Sequence, residues 1–249
     1  MTRLSPRHPR YASLLLRARL AEASRAGLVV PEGLIAQGRA EAFDYLLGER
    51  STPSARRAAR SAASWLLSAH HPVISVNGNV AALGAGRIAT LTRILPNLRV
   101  EVNLFHRTPE RARAVARQLH DFGVAEVLGV SPTVRLPHLP SDRAWVDARG
   151  IAQADLCVVP LEDGDRTEAL RRLGKRVIAI DLNPLSRTAR HAHLTIVDEL
   201  TRALENLAGE LARQKGHPLR RRRAVPNSVY LREALATMRR RLPSSSARD

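Results

Sequence analysis

The segment at residues 176–188 joins a buried-strand pattern to side chains that can bind phosphate. Residues 177–180 form a short apolar run bounded by polar residues, which predicts a central strand buried on both faces. In the loop that follows, Arg187 stands between Ser186 and Thr188. A forked cation beside two hydroxyl donors can bind phosphate oxygens. Ligands of open α/β sheets bind where loops leave the carboxyl ends of strands, so this loop is the first candidate site.

The same residues also allow a structural interpretation. Ser186 or Thr188 could cap the start of a helix, because a side-chain hydroxyl at that position accepts a backbone N–H. Both interpretations can hold together, since a helix N-terminus is itself a site for anions. Pro184 moves Asn183 out of helical geometry, which predicts an extended and fixed loop before the helix.

Polar residues also follow two other predicted strands, at residues 72–76 and 100–105. Amide donors and a glycine that lets a ligand approach the backbone follow the first of them, and a cation follows the second. We expect four of these residues to contact substrate: Asn77, Gly78, Asn79 and Arg107.

Residues 161–166 follow a further predicted strand, at 154–160, and contain three carboxylates and one arginine. Carboxylates beside a phosphate site often hold Mg²⁺, so Asp163 and Asp165 are the candidate metal ligands. The alternative is that these carboxylates only cap the helix that follows.

Other motifs are excluded by their context. Residues 84–89 match the dinucleotide pattern G-x-G-x-x-A, but the preceding strand ends near Val76, too early for a pyrophosphate turn. We therefore interpret residues 84–89 as a loop late in a helical region and reject NAD. No P-loop or G-x-S-x-G pattern occurs, and the paired histidines lack a third ligand at zinc spacing.

Composition restricts the partners and the compartment. The formal net charge is +17, and Lys175 and Lys215 are the only lysines among 40 basic residues. The arginines are spread along the whole chain and aromatic residues for base stacking are scarce, so anionic small molecules are favoured over nucleic acid. The single cysteine, the polar first ten residues and the lack of a long apolar run predict a cytoplasmic protein without a membrane span.

The pattern of elements predicts an α/β fold that is Rossmann-like, a mostly parallel sheet with helices on both faces, preceded by an N-terminal helical segment. Three parts follow: helices at 1–71, the α/β core at 72–210, and a basic helix and tail at 211–249 that we expect to be solvated. Gly38 interrupts a helical pattern, so either something approaches its backbone or the helix starts there. Glu41 and Asp44 are then expected as capping and helix-dipole partners.

Six blocks in order also resemble a known family. They are H-P-R-Y at 8–11, G-L-I-A-Q-G-R-A-E-A-F-D-Y-L-L-G-E at 33–49, V-I-S-V-N-G-N-V-A-A-L at 73–83, V-N-L-F-H-R-T at 102–108, V-P-L-E-D-G-D-R-T-E-A-L at 159–170 and D-L-N-P-L-S-R-T-A at 181–189. They resemble the archaeal-type phosphopantothenate synthetases, the 4-phosphopantoate–β-alanine ligases of coenzyme A biosynthesis. The resemblance covers about residues 8–200 and does not distinctively cover the C-terminal part.

The resemblance implies a homodimeric ligase that uses ATP. Because both reactants are strongly anionic, arginines and Mg²⁺ would have to offset their repulsion. ATP would adenylate 4-phosphopantoate and release diphosphate, and β-alanine would then displace AMP. The implied ATP contacts are Arg17, Arg39, Asp181, Leu182, Asn183, Arg187, Thr188, Glu199 and Leu200. Three positions depart from the expected pattern: Gln37 replaces His, Ala40 replaces Gly, and Glu199 replaces Asn. The last change would require a partner for an anion beside the nucleotide.

Two rival functions remain open at this stage. One is a ligase of the same architecture that forms ADP or uses a different acid, and the other is a basic nucleic-acid-binding protein that uses its arginine-rich C-terminus. No residue stands out as a general base. Orientation of a neutral β-alanine amine against the activated acid would then supply most of the rate.

Overall fold

The structure is a computed structural model that describes residues 5, 7–8, 10–217 and 225–242. Three helices come first: α1 (Tyr11–Arg25), α2 (Pro31–Leu47) and α3 (Pro53–Ser68). Prolines open α2 and α3 at a position where a helix needs no N–H donor. The Thr52 hydroxyl accepts the N–H of Ala55 and caps α3.

The predicted parallel sheet is confirmed and has six strands. The strands and helices that follow α3 are β1 (Pro72–Val76), α4 (Gly78–Ile94), β2 (Arg99–Val102), α5 (Pro109–Asp121), β3 (Val127–Leu128), β4 (Val134–Arg135), β5 (Trp145–Val146), β6 (Leu156–Pro160), α6 (Gly164–Arg172), β7 (Arg176–Ile180), α7 (Arg187–His191), β8 (Leu194–Ile196), α8 (Leu200–Gln214) and α9 (Asn227–Arg241). The strand order is β3-β2-β1-β6-β7-β8, all parallel, and β4 and β5 form a separate antiparallel pair.

Successive side chains of the central strands pack alternately into two apolar layers, one on each face of the sheet. Ile74 of β1 packs with residues of α3, α4, α5 and α8 on one face of the sheet. Val73 packs on the other face with α6 and with apolar residues of the segment between β4 and β6. Cys157 belongs to that second layer, and burial raises the pKa of its thiol to about 12. Within the described residues, none of the helices combines the length and apolar character that a membrane crossing requires.

Two local expectations were wrong. Residues 84–89 lie inside α4 and not in a loop, and Gly84 is needed because a Cβ there would come within 2.9 Å of Leu204 on α8. Gly38 lies inside α2, which begins at Pro31, and a Cβ at Gly38 would meet nothing within 4 Å. Neither a close approach nor a helix start therefore explains Gly38.

The C-terminal helix is not a solvated appendage. Tyr230, Leu231, Ala234 and Met238 of α9 are buried against the core. The Asn227 side-chain amide donates to the carbonyls of Ala189 and Ala192 at 2.7 and 3.0 Å, and its oxygen accepts the Thr195 N–H at 2.7 Å. The basic block at 220–223 and the serines at 244–246 lie outside the described residues.

Candidate active site at the carboxyl edge of the sheet

The order of the strands reverses between β1 and β6, and the crevice at this switch point is where open α/β sheets bind ligands. Asn77 bridges the crevice. Its amide donates to the Leu161 carbonyl at 2.9 Å, while its oxygen accepts the Val80 N–H at 3.0 Å and caps α4. Leu161 has φ +50°, a strained value for a residue other than glycine, and such strain occurs often at functional sites.

A buried ion-pair cluster follows Leu161 directly. Glu162 is fully buried and accepts from the guanidiniums of Arg143 and Arg166. Burial alone would raise the pKa of Glu162, but the two neighbouring guanidiniums outweigh it and lower that pKa below its usual range. Arg166 Nη1 also donates to the Ser75 hydroxyl of β1 at 2.8 Å, so the cluster spans the switch point.

A cavity of about 650 Å³ lies beside this cluster. Its lining residues come from the loop after β2, the segment between β4 and β5, and the start of α6 with the residue before it: Phe105, Leu139, Pro140, Ser141, Asp142, Arg143, Asp163, Gly164, Asp165 and Arg166. We call it the carboxyl-edge cavity. The candidate metal ligands Asp163 and Asp165 both line it.

Both candidate metal ligands are engaged with arginines. An Asp163 carboxylate oxygen lies 3.1 Å from Arg143 Nε, and an Asp165 oxygen lies 2.7 Å from Arg187 Nη1. The Asp163 side chain makes no helix-capping hydrogen bond, although the residue stands at the N-cap position of α6. Burial raises its pKa. Within the described part of the chain, no three His, Cys, Asp or Glu side chains converge as a metal site.

The loop after β7 is built around Asp181. Its carboxylate accepts the Asn183 N–H at 2.9 Å and the Ser186 hydroxyl, and burial raises its pKa. Ser186 caps α7 by accepting the Ala189 N–H at 2.9 Å, so the structural interpretation of this serine is confirmed. Arg39 is exposed on α2 and acts on Asp181 only as a nearby positive charge.

Arg187 and Thr188 attach this loop to the carboxyl-edge cavity. Arg187 contacts Asp165 and lies 3.5 Å from a Glu168 oxygen, with about half of its side chain exposed. The Thr188 hydroxyl donates to the Glu162 carbonyl at 2.6 Å, so its one O–H donor is already used in a contact with the backbone.

The other end of the loop reaches a second cavity, of about 320 Å³, that we call the helical cavity. Arg17, Leu182 and Glu199 of the implied ATP contacts line it, together with Gln37 and Arg202. The sheet and the N-terminal helices therefore bring part of the predicted ATP set together here. Arg187 lies beyond the lining of this cavity, at the opposite end of the loop.

Glu199 has a partner of its own. Its carboxylate accepts the Thr201 N–H at 2.9 Å and the Arg202 N–H at 3.2 Å, and so caps α8. A negative charge is stabilised at a helix N-terminus. Leu200 opens the helix and is buried.

Glu41 and Asp44 do not cap a helix, because both lie in the second half of α2. Glu41 accepts from Arg17 Nε at 2.8 Å. Asp44 accepts from Arg202 Nη1 at 3.2 Å, and Arg202 Nε also donates to Asp198 at 3.0 Å. The Arg17–Glu41 and Arg202–Asp44 pairs line the helical cavity and contribute equal positive and negative charge to it, which corrects the expectation of helix-dipole partners.

The predicted substrate residues make structural contacts. Asn79 donates to the Gly33 carbonyl at 2.8 Å, and a Cβ at Gly78 would come within 2.1 Å of the Leu28 carbonyl oxygen. Arg107 donates to the carbonyls of Gly129 and Val130, and burial lowers its pKa. Their ligand role stays a prediction that rests on their place at the carboxyl edge.

Sequence reasoning missed Arg143 as a site residue. It lies in a single 3-10 turn, Asp142–Ala144, between β4 and β5, where no periodicity marks a strand end. The buried side chain of Asn103, just after β2, donates to the carbonyls of Arg143 and Trp145 at 3.2 and 3.1 Å and so fixes that segment. No signal in a single sequence would have paired residues 103 and 143.

The fold and the cavities define a doubly wound α/β protein with a site rich in arginine and carboxylate at its switch point. A family model described as phosphopantothenate/pantothenate synthetase matches residues 54–242. The chain belongs to that family, and the match extends through α9, beyond the blocks that carry the sequence resemblance.

Relatives from archaea agree with this assignment. The chain is 48% identical over 248 residues to the 4-phosphopantoate–β-alanine ligase of Thermococcus onnurineus, covering 97% of the chain and 94% of that relative. It is 52% identical over 239 residues to the ligase of the same name from Methanospirillum hungatei, covering 94% of the chain and 96% of the relative. The corresponding Methanosarcina mazei protein is 55% identical over 208 residues, covering 84% of the chain and 81% of the relative.

Proposed function

We propose that this chain is an ATP-dependent ligase that joins 4-phosphopantoate to β-alanine and forms 4′-phosphopantothenate, AMP and diphosphate. One observation supports the assignment of the reaction to this site. The loop after β7 begins at the helical cavity, through Leu182, and ends at the carboxyl-edge cavity, through Arg187. A nucleotide and a second anionic substrate can therefore lie on either side of one loop.

ATP is proposed to occupy the helical cavity and to extend its phosphates along the loop. Arg17, Leu182 and the start of α8 would bind the nucleoside, and Arg187 would bind phosphate oxygens in place of Asp165. A forked guanidinium that is half exposed suits this exchange, because its present partners are acidic side chains at the surface. Arg39 and Asn183 would border the path of the phosphates.

The donors at the carboxyl-edge cavity fit Mg²⁺ in a limited way. Magnesium is commonly held by one or two carboxylates together with substrate phosphates, and does not need an all-protein cage. Asp163 and Asp165 offer such carboxylates, Asp165 once Arg187 turns to phosphate and Asp163 once it turns away from Arg143. Bound there, Mg²⁺ would supply charge neutralisation for the triphosphate.

The chain's own groups would act chiefly by positioning. A carboxylate oxygen of the acid attacks the α-phosphorus of ATP and displaces diphosphate, which leaves an acyl adenylate. The neutral amine of β-alanine then attacks the acyl carbon, loses a proton as the amide forms, and displaces AMP. Holding the reacting atoms in contact supplies a large part of such a rate, and the arginines offset the charge of the two anions.

A homodimer in the cytoplasm, where ATP is supplied, is proposed for the working protein. Leu34 and Ile35 on α2 are exposed, the latter by 71%, and are suited to an interface. The rival nucleic-acid function receives less support, because α9, the helix after the basic block at 220–223, is packed into the core and is covered by the family match.

A nucleotide product assay tests the reaction. Protein, Mg²⁺, ATP, 4-phosphopantoate and β-alanine should yield AMP and diphosphate in equal amounts with 4′-phosphopantothenate. Without β-alanine, labelled diphosphate should still exchange into ATP. Formation of ADP and inorganic phosphate would exclude the adenylate route and keep the ligase. The absence of nucleotide turnover would exclude both.

A further inference from the structure

Two buried arginines at the carboxyl-edge cavity have donors that the fold does not use. Arg166 is 1% exposed, and its Nε and Nη2 atoms have no hydrogen-bond partner among the described residues. Arg143 Nε is in the same condition, because the Asp163 oxygen 3.1 Å away lies outside hydrogen-bond geometry. Buried donors in native proteins are almost always paired, so those that are not require an explanation.

Packing holds both guanidiniums in place rather than leaving them mobile. Arg166 is fixed by Ser75 and Glu162, and Arg143 shares Glu162 and lies 5.9 Å from the Phe105 ring centre. Both side chains line the same cavity of about 650 Å³. Rigid guanidiniums with free N–H groups are preorganised for a phosphate, which accepts several charge-assisted hydrogen bonds at once.

From this geometry we infer that Arg143 and Arg166 bind the phosphate group of the acid substrate and set the preference for a phosphorylated acid. The inference rests on the proposed function for the identity of that acid. It separates the two phosphate-bearing substrates in space, because ATP is assigned to Arg187 and the helical cavity, on the other side of Asp165 and Gly164. Asp163 would turn away from Arg143 when the phosphate binds.

The test compares the KM for 4-phosphopantoate with the KM for ATP, both measured by diphosphate exchange. Arg143→Gln should raise the KM for 4-phosphopantoate by about 10- to 100-fold, the scale of lost charge-assisted hydrogen bonds, and leave the KM for ATP within about twofold. The preference for 4-phosphopantoate over pantoate should fall by the same factor. Arg143→Lys should lose less, since it keeps the charge without the fork. Arg149→Gln, an exposed arginine outside the cavity lining, is the matched control.

A second measurement does not depend on the reaction. Inorganic phosphate should raise the melting temperature of the wild-type protein and of Arg149→Gln, and should not raise that of Arg143→Gln or Arg166→Gln. If buried water alone satisfies these donors, phosphate will not stabilise the wild type and the substrate preference will not change in the variants. Either result overturns the inference. A wild type that is stabilised by phosphate but does not turn over ATP would instead refute the proposed function.

Discussion

Gly164 leaves no room for a side chain beside Arg187, because a Cβ atom at 164 would lie 2.3 Å from Arg187 Cβ and 3.3 Å from its Cα. This contact joins the start of α6 to the start of α7, the two elements that follow neighbouring strands of the sheet. Gly164→Ala should therefore displace Arg187. We expect a higher KM for ATP, by roughly 10-fold as for a weakened charged contact, with a smaller change for 4-phosphopantoate. Steady-state kinetics would check this. Gly174→Ala is the control, because φ at Gly174 is +75° but no atom lies within 4 Å of a Cβ there, so this variant introduces backbone strain without displacing a neighbour.

Arg187 itself should be needed for turnover. Arg187→Ala should lower kcat by roughly 100-fold, on the scale of losing one preorganised donor to transition-state charge. Arg187→Lys should restore only part of the rate, because a point charge does not copy the fork. Wild-type kinetics in Arg187→Ala would remove phosphate binding from this residue.

Asn227 should affect the nucleotide site indirectly, through its contacts with the end of α7. Its side chain fixes the carbonyls of Ala189 and Ala192, and Leu182 packs in one cluster with Leu231 and Met238. Asn227→Ala should lower the free energy of unfolding by about 1–3 kcal/mol, because buried partners are left unpaired.

The same variant should weaken ATP binding more than binding of 4-phosphopantoate, because Asn227 supports α7, the helix that begins at Arg187. Deletion of residues 243–249 is the control, because the family match ends at residue 242, and it should leave the rate within about twofold. Equal losses for both substrates in Asn227→Ala would indicate a purely structural role.

Stability should depend on pH through Glu101 of β2. Burial raises its pKa from 4.5 to about 7, although its carboxylate accepts the N–H groups of Asp147 and Ile151 at 3.0 and 2.6 Å. The folded state then binds more protons than the unfolded state between these values. The stability from this group is complete below pH 4.5 and is lost as the pH rises through about 7.

The slope from a single group is at most about 1.4 kcal/mol per pH unit. Unfolding curves measured in denaturant from pH 5 to 8 would show it. Glu101→Gln keeps a side-chain oxygen acceptor and should flatten that part of the profile. An unchanged profile in this variant would assign the dependence to other groups.

Short-range sequence signals predicted the strand at 177–180 and the starts of two helices. The apolar run at 177–180, the proline and threonine at the start of α3 and the serine before α7 each act within a few residues, and all appear as predicted. The parallel direction of the strands also follows from their alternation with helices, whereas their order in the sheet was not predicted.

Long-range pairings could not be predicted in this way. Residues 84–89 have the same local pattern in a loop or a helix, and only the approach of Leu204, 120 positions along the chain, explains Gly84. Likewise, Glu41 and Asp44 pair with arginines of α1 and α8. A short stretch of sequence around α2 does not show which helices pack against it. The site residues were found where they follow strands and missed where, as at Arg143, they do not.

The position of α9 has a consequence for synthesis. Because α9 packs against the loop at 181–188 and follows it in the chain, that loop lacks its support until α9 has been synthesised and has left the ribosome. Nascent chains and products of premature termination would then carry every residue of the proposed ATP site without a formed site. The order of translation thus delays nucleotide binding until α9 has folded onto the loop.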